Sequence, residues 1–159
     1  MSDTLIAYAD ALVAALSAAF STVTVNGQSL PVTVEWTDDA SVDLSDADIA
    51  RPLVWVLDVA DTVETKDGIC HEDFQFLVIT QMKRPNATDS ASAQIARDLA
   101  SLSGGIRAWA KTRNAAAEIE VAGEVAVCVK AERPTARNHN DWHQNRRFFS
   151  ETILTFRRY

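Results

Sequence analysis

The chain is poor in cysteine and lacks a long apolar run, and each absence excludes a class of protein. Only two cysteines, Cys70 and Cys128, occur among 159 residues, too few for the disulfide framework of a small secreted protein. We therefore expect two buried thiols in a reducing cytoplasm. The uncharged residues 11–34 contain Asn26, Gly27 and Pro31, which interrupt a helix, so we predict no membrane span there.

The first twenty residues share one trait with a signal peptide and lack the others. They are largely apolar, but no basic segment precedes the apolar part, and Asp3 and Asp10 interrupt it. We therefore do not expect a secretory leader.

Common signatures of catalysis are missing too. The sequence has no G-x-S-x-G, and Gly104 and Gly105 are not followed by the Lys and Ser or Thr of a phosphate-binding loop. Cys70 and His71 are neighbours, so in a strand their side chains point to opposite faces and do not form a dyad. We predict that the protein is not an enzyme and uses no cofactor.

Two histidines leave one enzymatic alternative open. His139 and His143 are four residues apart with Asp141 between them, and on a helix such a pair can share a metal ion. The segment lacks the Glu that follows the first His in HExxH, and it lies after Pro134 among asparagines. We favour a polar loop, and we keep a small metal-dependent enzyme using His139 and His143 as the alternative.

Residues 37–51 form an acidic segment, TDDASVDLSDADIAR. A calcium-binding EF-hand loop needs Gly at its sixth position and Glu at its twelfth. Counted from Asp38 these positions hold Asp43 and Ile49, so the pattern fails. We expect an acidic loop that faces water or a partner.

Charge is divided unevenly along the chain. Six arginines against Asp141 and Glu151 give residues 133–159 a charge of +4, and since the whole chain carries −7, residues 1–132 carry −11. An acidic protein of pI near 4.9 is not suited to hold nucleic acid tightly over its whole surface. Segregated charges of opposite sign instead favour attraction between copies or neighbours.

Periodicity predicts two amphipathic helices. Leu5, Ala9, Leu12, Leu16 and Phe20 recur at helical spacing and predict a helix from about residue 3 to residue 20. A second helix, capped near residues 88–90, is predicted by the same spacing in a later apolar set: Ile95, Leu99, Leu102, Ile106 and Trp109.

Alternation predicts the strands. Asn26 and Gly27 separate two β-branched runs, which is typical of a hairpin. Residues 53–59 form a buried strand and residues 74–81 the next, joined by a polar turn at residues 60–68, and two strands follow the second helix, around residues 125–129 and 145–159. We predict one α+β domain, residues 1–159: a mostly antiparallel sheet of about five strands flanked by two amphipathic helices, in the order α-β-β-β-α-β-β.

Three segments together resemble the bacteriophage tail terminator family and related neck or tail-completion proteins. Residues 35–59, with Asp43 and Leu44, resemble the family's strand, acidic loop and apolar strand, although residues 37–39 stand where the family has a proline. Residues 74–85, together with the second helix that follows them, resemble the next segment of the family's sequence pattern. Residues 146–158, RRFFSETILTFRR, resemble the family's closing strand.

The resemblance implies a structural virion protein of the tail and neck, assembled in the host cytoplasm. Such proteins form a ring, usually a hexamer, that caps the tail tube on one face and joins head-completion proteins on the other, without a membrane. Genomic double-stranded DNA passes through the lumen without sequence-specific binding. The alternatives that remain open are a head-completion or adaptor protein of the neck and a non-viral interaction module.

A head-to-tail ring joins two different patches of each subunit, and the chain offers two oppositely charged ones. Our hypothesis is that Asp43, Asp46 or Asp48 faces an arginine of the neighbouring subunit. The candidate arginines are Arg146, Arg147 and Arg157. The final strand would line the subunit boundary or extend the sheet of the ring. Paired arginines at strand ends also commonly guard a sheet edge in water, which is the competing interpretation.

Overall fold

The computed structural model describes residues 3–38, 49–83, 89–135 and 147–159. Within them two helices and eight strands follow one another. The elements are α1 (Asp3–Ala19), β1 (Thr22–Val25), β2 (Gln28–Pro31), β3 (Thr33–Trp36), β4 (Leu53–Lys66), β5 (Ile69–Lys83), α2 (Asp89–Ala110), β6 (Glu118–Val121), β7 (Glu124–Thr135) and β8 (Arg147–Arg158). None of the described helices is long and apolar enough to cross a membrane.

Six of the strands form one sheet in the order β3-β4-β5-β8-β7-β6, and β1 pairs with β2 in a separate hairpin. Every pair is antiparallel except β3 with β4. The α+β class and the mostly antiparallel sheet are therefore confirmed. The expected count of five strands and the order α-β-β-β-α-β-β are wrong. Five strands precede α2, because the hairpin at Asn26 and Gly27 closes on itself and β3 starts anew after Pro31, and three strands follow it, because β6 precedes β7.

The polar segment expected as a turn at residues 60–68 is mostly strand. β4 continues to Lys66, and the turn consists of Asp67 and Gly68 alone, with φ of 52° and 77°. Asp-Gly is a preferred pair for a two-residue hairpin turn because both positions need positive φ. The residues before it are polar because this part of β4 is exposed, although Thr and Val still favour an extended backbone.

Both helices follow the predicted periodicity. Leu5, Leu12 and Leu16 of α1 are buried, and α1 ends one residue before Phe20. In α2, Gly104 and Gly105 do not interrupt the helix. A Cβ added at Gly105 would lie 3.4 Å from the ring of Phe20, so a side chain, and not a neighbouring backbone, packs beside this position.

The main core lies between the helices and one face of the sheet. Tyr8 and Leu12 of α1 and Ile106 of α2 share a buried cluster with Phe74 and Phe156 from the middle strands. A second cluster joins the N-terminal half of α2 to β1, β5 and β8 through Val25, Met82, Leu99 and Phe148. Both helices therefore cover the same face.

The final strand lies in the middle of the sheet. β8 pairs with β5 along one side, from Glu72↔Arg158 to Lys83↔Arg147, and with β7 along the other. Its residues alternate between buried and half-buried from Arg147 to Phe156. From Glu151 to Arg157 the strand has neighbours of the same chain on both sides, so this part of β8 is not free to extend the sheet of a ring.

Candidate interaction surfaces

The last residues of β8 lie at one end of the sheet, beside the turn between β6 and β7 and the outer part of the β4–β5 hairpin. An open cleft of about 660 Å³ lies there. Its lining combines apolar and charged side chains: Val63, Cys70, His71, Glu72, Gly123, Glu124, Val125, Arg158 and Tyr159.

Arg157 is bound within its own chain. Its guanidinium donates two hydrogen bonds to the carboxylate of Asp73, Nε to Oδ1 at 2.7 Å and Nη2 to Oδ2 at 2.8 Å. The two residues are opposed on β8 and β5, so the sheet register itself brings them together. These hydrogen bonds hold the pKa of Asp73 below its ordinary value and raise the pKa of Arg157.

Arg158 is held by two carboxylates on the opposite face. It donates hydrogen bonds to Glu72 of β5 and Glu124 of β7, and its guanidinium carbon lies 5.6 Å from the ring centroid of Phe74 and 5.9 Å from that of Tyr8. Burial lowers the pKa of Arg158, but the hydrogen bond and charge of Glu72 outweigh this effect and the pKa rises. The side chain joins three strands.

Tyr8 connects this network to helix α1. Its hydroxyl donates a hydrogen bond of 2.9 Å to the carbonyl oxygen of Glu124. Its ring stacks on Phe74 with 4.5 Å between centroids. The helix, the β6–β7 turn and the end of β8 are therefore held in one arrangement.

The cysteine and histidine beside this network differ in exposure. His71 is 6% exposed, and its Nε2 lies 3.6 Å from Glu64 Oε2 and has no hydrogen-bond partner among the described atoms. Cys128 is buried, which raises the pKa of its thiol. Cys70 is exposed, so the expectation of two buried thiols is wrong for it: it lies on the outer part of the hairpin, beyond the helices.

Arg147 lies at the other end of the same strand. With about 3.3 Å per residue, the first and last residues of β8 are roughly 36 Å apart. The Arg147 guanidinium carbon lies 5.3 Å from the ring centroid of Phe149, and the side chain is half-buried. The arginines at the two ends of β8 therefore belong to different surfaces.

The remaining residues of the predicted interface and metal site fall outside the described ranges. These are Asp43, Asp46, Asp48, Arg146, His139 and His143. Among the residues that are described, no three His, Cys, Asp or Glu side chains are grouped so that they could hold a metal ion.

No helix of the described residues covers the second face of the sheet, which carries apolar side chains. We call the half-buried residues Leu57, Gln75, Leu77, Phe149, Ile153 and Thr155 the helix-free face. Leu57, Leu77 and Ile153 are opposed on three adjacent strands. Leu57, Leu77 and Phe149 pack with Ile49, Leu53, Trp55 and Ile79 in a cluster that contains no helix residue.

The outer part of β4 forms a further surface. β3 pairs with β4 only as far as Val56, so residues 57–66 have no neighbouring strand on that side within the described chain. Val59 and Val63 are 53% and 67% exposed there. The turn predicted over residues 60–68 leaves no place for this edge. The pair Asp67-Gly68 is the sequence signal that marks the true position of the turn.

A scan against protein-family models finds no match to this chain, and a search of curated proteins finds no significant one.

Proposed function

We propose that this protein is a structural component of a virion and forms a ring, with six subunits as in the family its sequence resembles. The ring ends the tail tube on one face and joins the head-completion proteins of the neck on the other. Double-stranded DNA passes through the lumen without sequence-specific binding. In this proposal the protein acts through geometry and charge, and it catalyses no reaction.

The observation that carries the proposal is the helix-free face. Both helices cover one side of the sheet, while Leu77 and Phe149 on the other side stay half-buried around a small cluster. Apolar side chains left partly exposed across adjacent strands are typical of surfaces that contact another molecule. A subunit of a ring has such a surface available for its neighbour or for the next component.

The uneven charge supports a head-to-tail arrangement. Residues 1–132 carry −11 and residues 133–159 carry +4. The acidic region of one subunit therefore attracts the basic region of the next subunit. A net negative charge also suits a channel that DNA must pass without adhering, because like charges repel phosphate.

Among the arginines of the proposed interface, Arg147 is the best placed. Arg157 already binds Asp73 of its own chain, and releasing it would break two charge-assisted hydrogen bonds. Arg147 contacts the Phe149 ring at the end of β8 where Arg146 precedes it. We therefore propose Arg146 and Arg147 as the partners of Asp43, Asp46 or Asp48 in the neighbouring subunit.

The mass of the purified protein tests the proposal. Light scattering after gel filtration should give about six times the subunit mass of 17.4 kDa for a single ring, or twelve times for a pair of rings, and negative-stain electron microscopy should show annular particles. When purified tail tubes are added, the rings should bind at tube ends. A monomer at high concentration, or compact particles without a lumen, would overturn the proposal.

Two further measurements separate the alternatives. A head-completion or adaptor protein would also form rings, but those rings would bind neck components and leave tube ends bare. A metal-dependent enzyme using His139 and His143 would contain about one metal ion per chain by elemental analysis, and replacing both histidines with alanine would remove it. The ring proposal expects no stoichiometric metal.

A further inference from the structure

The two edges of the six-stranded sheet differ in how well they are protected against pairing with another strand. On the side away from β8, β6 pairs with β7 only as far as Val127, so residues 129–135 of β7 have no neighbouring strand on that side among the described residues. This stretch has register irregularities at Cys128/Lys130 and Glu132/Thr135, and Pro134 has no N–H to donate. Bulges, prolines and lysines are devices by which natural sheets prevent an edge from pairing.

The edge of β4 has a register shift at Asp58/Ala60 and a lysine at its end, Lys66, but it is regular between them. Residues 60–66 pair with β5 in continuous register, from Ala60↔Gln75 to Lys66↔Ile69, and they include neither proline nor glycine. Thr62, Val63 and Thr65 favour an extended backbone and are exposed. A regular, exposed, β-branched edge is a template for another strand.

We propose that this edge binds the same edge of a second copy of the chain. The two strands run antiparallel about a two-fold axis at Val63, and the two six-stranded sheets become continuous. In this register Val63 lies opposite Val63 of the second copy.

The charges along the edge fit this register. Asp61 lies opposite Thr65, Glu64 opposite Thr62, and Lys66 opposite Ala60 of the second copy. No charged residue is directly opposed to one of like sign, which would destabilise the pair. Two valine side chains meet at the centre, and Val63 is 67% exposed in the single subunit, so the contact removes apolar surface from water.

The other edges of the sheet are poorer partners for β4. Glu118 and Glu120 on β6 would bring more carboxylates beside Asp61 and Glu64, and the irregular stretch of β7 does not match the regular one of β4. A two-fold contact also uses the edge of both copies at once. It therefore ends at two copies and does not propagate into a fibre.

This contact does not depend on the proposed function. A ring requires a head-to-tail contact between two different patches, whereas the β4 contact is two-fold and joins two subunits, or two rings, through the same patch. The failure of either proposal leaves the other unaffected.

Disulfide trapping tests the contact. Directly opposed residues in antiparallel strands have Cβ atoms about 4.5–5.5 Å apart, close to the separation of about 3.5–4.5 Å that a disulfide spans. In a Cys70→Ser background, Val63→Cys should therefore form a covalent dimer under mild oxidation, seen on a non-reducing gel. Val125→Cys is the matched control, because Val125 lines the same cleft and is 41% exposed but lies on β7, three strands across the sheet from β4.

We expect the Val63→Cys protein to dimerise at least tenfold faster than the Val125→Cys protein. Equal rates would overturn the inference. Equal rates are also the result expected if the edge binds a strand of a different protein. Analytical ultracentrifugation gives a second measurement without cysteine chemistry. Val63→Lys should lower the mass of the assembly twofold at a fixed protein concentration, and an unchanged mass would contradict the two-fold contact.

The two tests are read separately. Annular particles combined with slow Val63→Cys cross-linking would remove the two-fold contact and leave the ring. Fast cross-linking without annular particles would support the two-fold contact and contradict the ring.

Discussion

Arg157 and Asp73 lie opposite each other on β8 and β5, 84 positions apart in the chain, and their side chains meet through hydrogen bonds of 2.7 and 2.8 Å. The pair fastens the last strand of the sheet to the strand beside it. It also binds the Arg157 guanidinium within its own subunit, although the charge pattern had made Arg157 a candidate for contact with a neighbouring subunit.

Removing either member of this pair should destabilise the fold. We expect Asp73→Ala and Arg157→Ala each to lower the free energy of unfolding by about 1–2 kcal/mol, because a charge-assisted, partly exposed hydrogen-bonded pair is lost. Urea unfolding measures this. The double variant should lose less than the sum of the two single losses, and strict additivity would show that the pair is not coupled.

The same pair predicts a pH dependence. The pKa of Asp73 is lower in the folded protein than in the unfolded chain, where it is about 3.9. The stabilisation is therefore fully present above that value and is lost as the pH falls through the folded-state pKa. The stability difference between wild type and Asp73→Asn should be constant near neutral pH and should shrink below about pH 4. A difference that grows in acid would contradict the assignment.

Charge reversal at the start of β8 tests the proposed subunit contact. Arg146→Glu with Arg147→Glu should reduce the mass of the assembly at moderate salt, because acidic residues of the neighbour would then face acidic residues. Lys111→Glu with Arg113→Glu makes the same change in net charge at exposed positions after α2 and should leave the mass unchanged. If both variants, or neither, lose mass, the contact does not involve Arg146 and Arg147.

In the turn between β6 and β7, Ala122 has a strained left-handed backbone conformation that another residue would adopt more easily. Ala122 has φ of 52°, as Asn26 has 49° in the β1–β2 turn, and each precedes a glycine. Asn tolerates this left-handed conformation better than Ala. Ala122→Asn should stabilise the protein by about 0.5–1 kcal/mol, and Asn26→Ala should destabilise it similarly. Thermal unfolding of both variants should shift in opposite directions, and shifts of the same sign would rule this explanation out.

A buried hydroxyl pair fixes α2 to the centre of the sheet. Ser103 and Ser150 are 2% and 0% exposed, and their Oγ atoms are 2.8 Å apart. We expect Ser103→Ala to cost about 1 kcal/mol of unfolding free energy. Ser101→Ala, on the exposed side of the same helix, should change it by less than about 0.5 kcal/mol. Chemical denaturation of both variants makes the comparison, and equal effects would contradict a specific role for the pair.

The sequence predicted the features that depend on local periodicity. Leu5 to Leu16 marked α1, the apolar set from Ile95 to Ile106 marked α2, and Asn26-Gly27 marked a hairpin that the structure contains. The outer half of β4 was missed because its residues are polar, and polarity reports exposure rather than backbone conformation. A strand exposed on both faces lacks the apolar–polar alternation of a half-buried strand and is therefore easily mistaken for a turn.

The candidate surfaces were less predictable because they depend on strand order. Nothing local to Arg157 indicates that Asp73 lies opposite it, since that pairing follows from the position of β8 beside β5. The same holds for Arg158, whose partners Glu72 and Glu124 come from strands on either side of β8. Local patterns specify the strands but do not specify which strands become neighbours.

The position of β8 has a consequence for synthesis. Among the described strands, β8 is the one that joins β5 to β7 within the sheet, and it follows both of them in the chain. Until the ribosome has released residues 147–158, the two halves of the sheet each present an unpaired inner edge. Folding of the sheet as a whole therefore waits until β8 has left the ribosome, and it depends on slow, non-local pairing. A ribosome stalled before β8 would hold a chain with two exposed edges, which is the state most prone to aggregate.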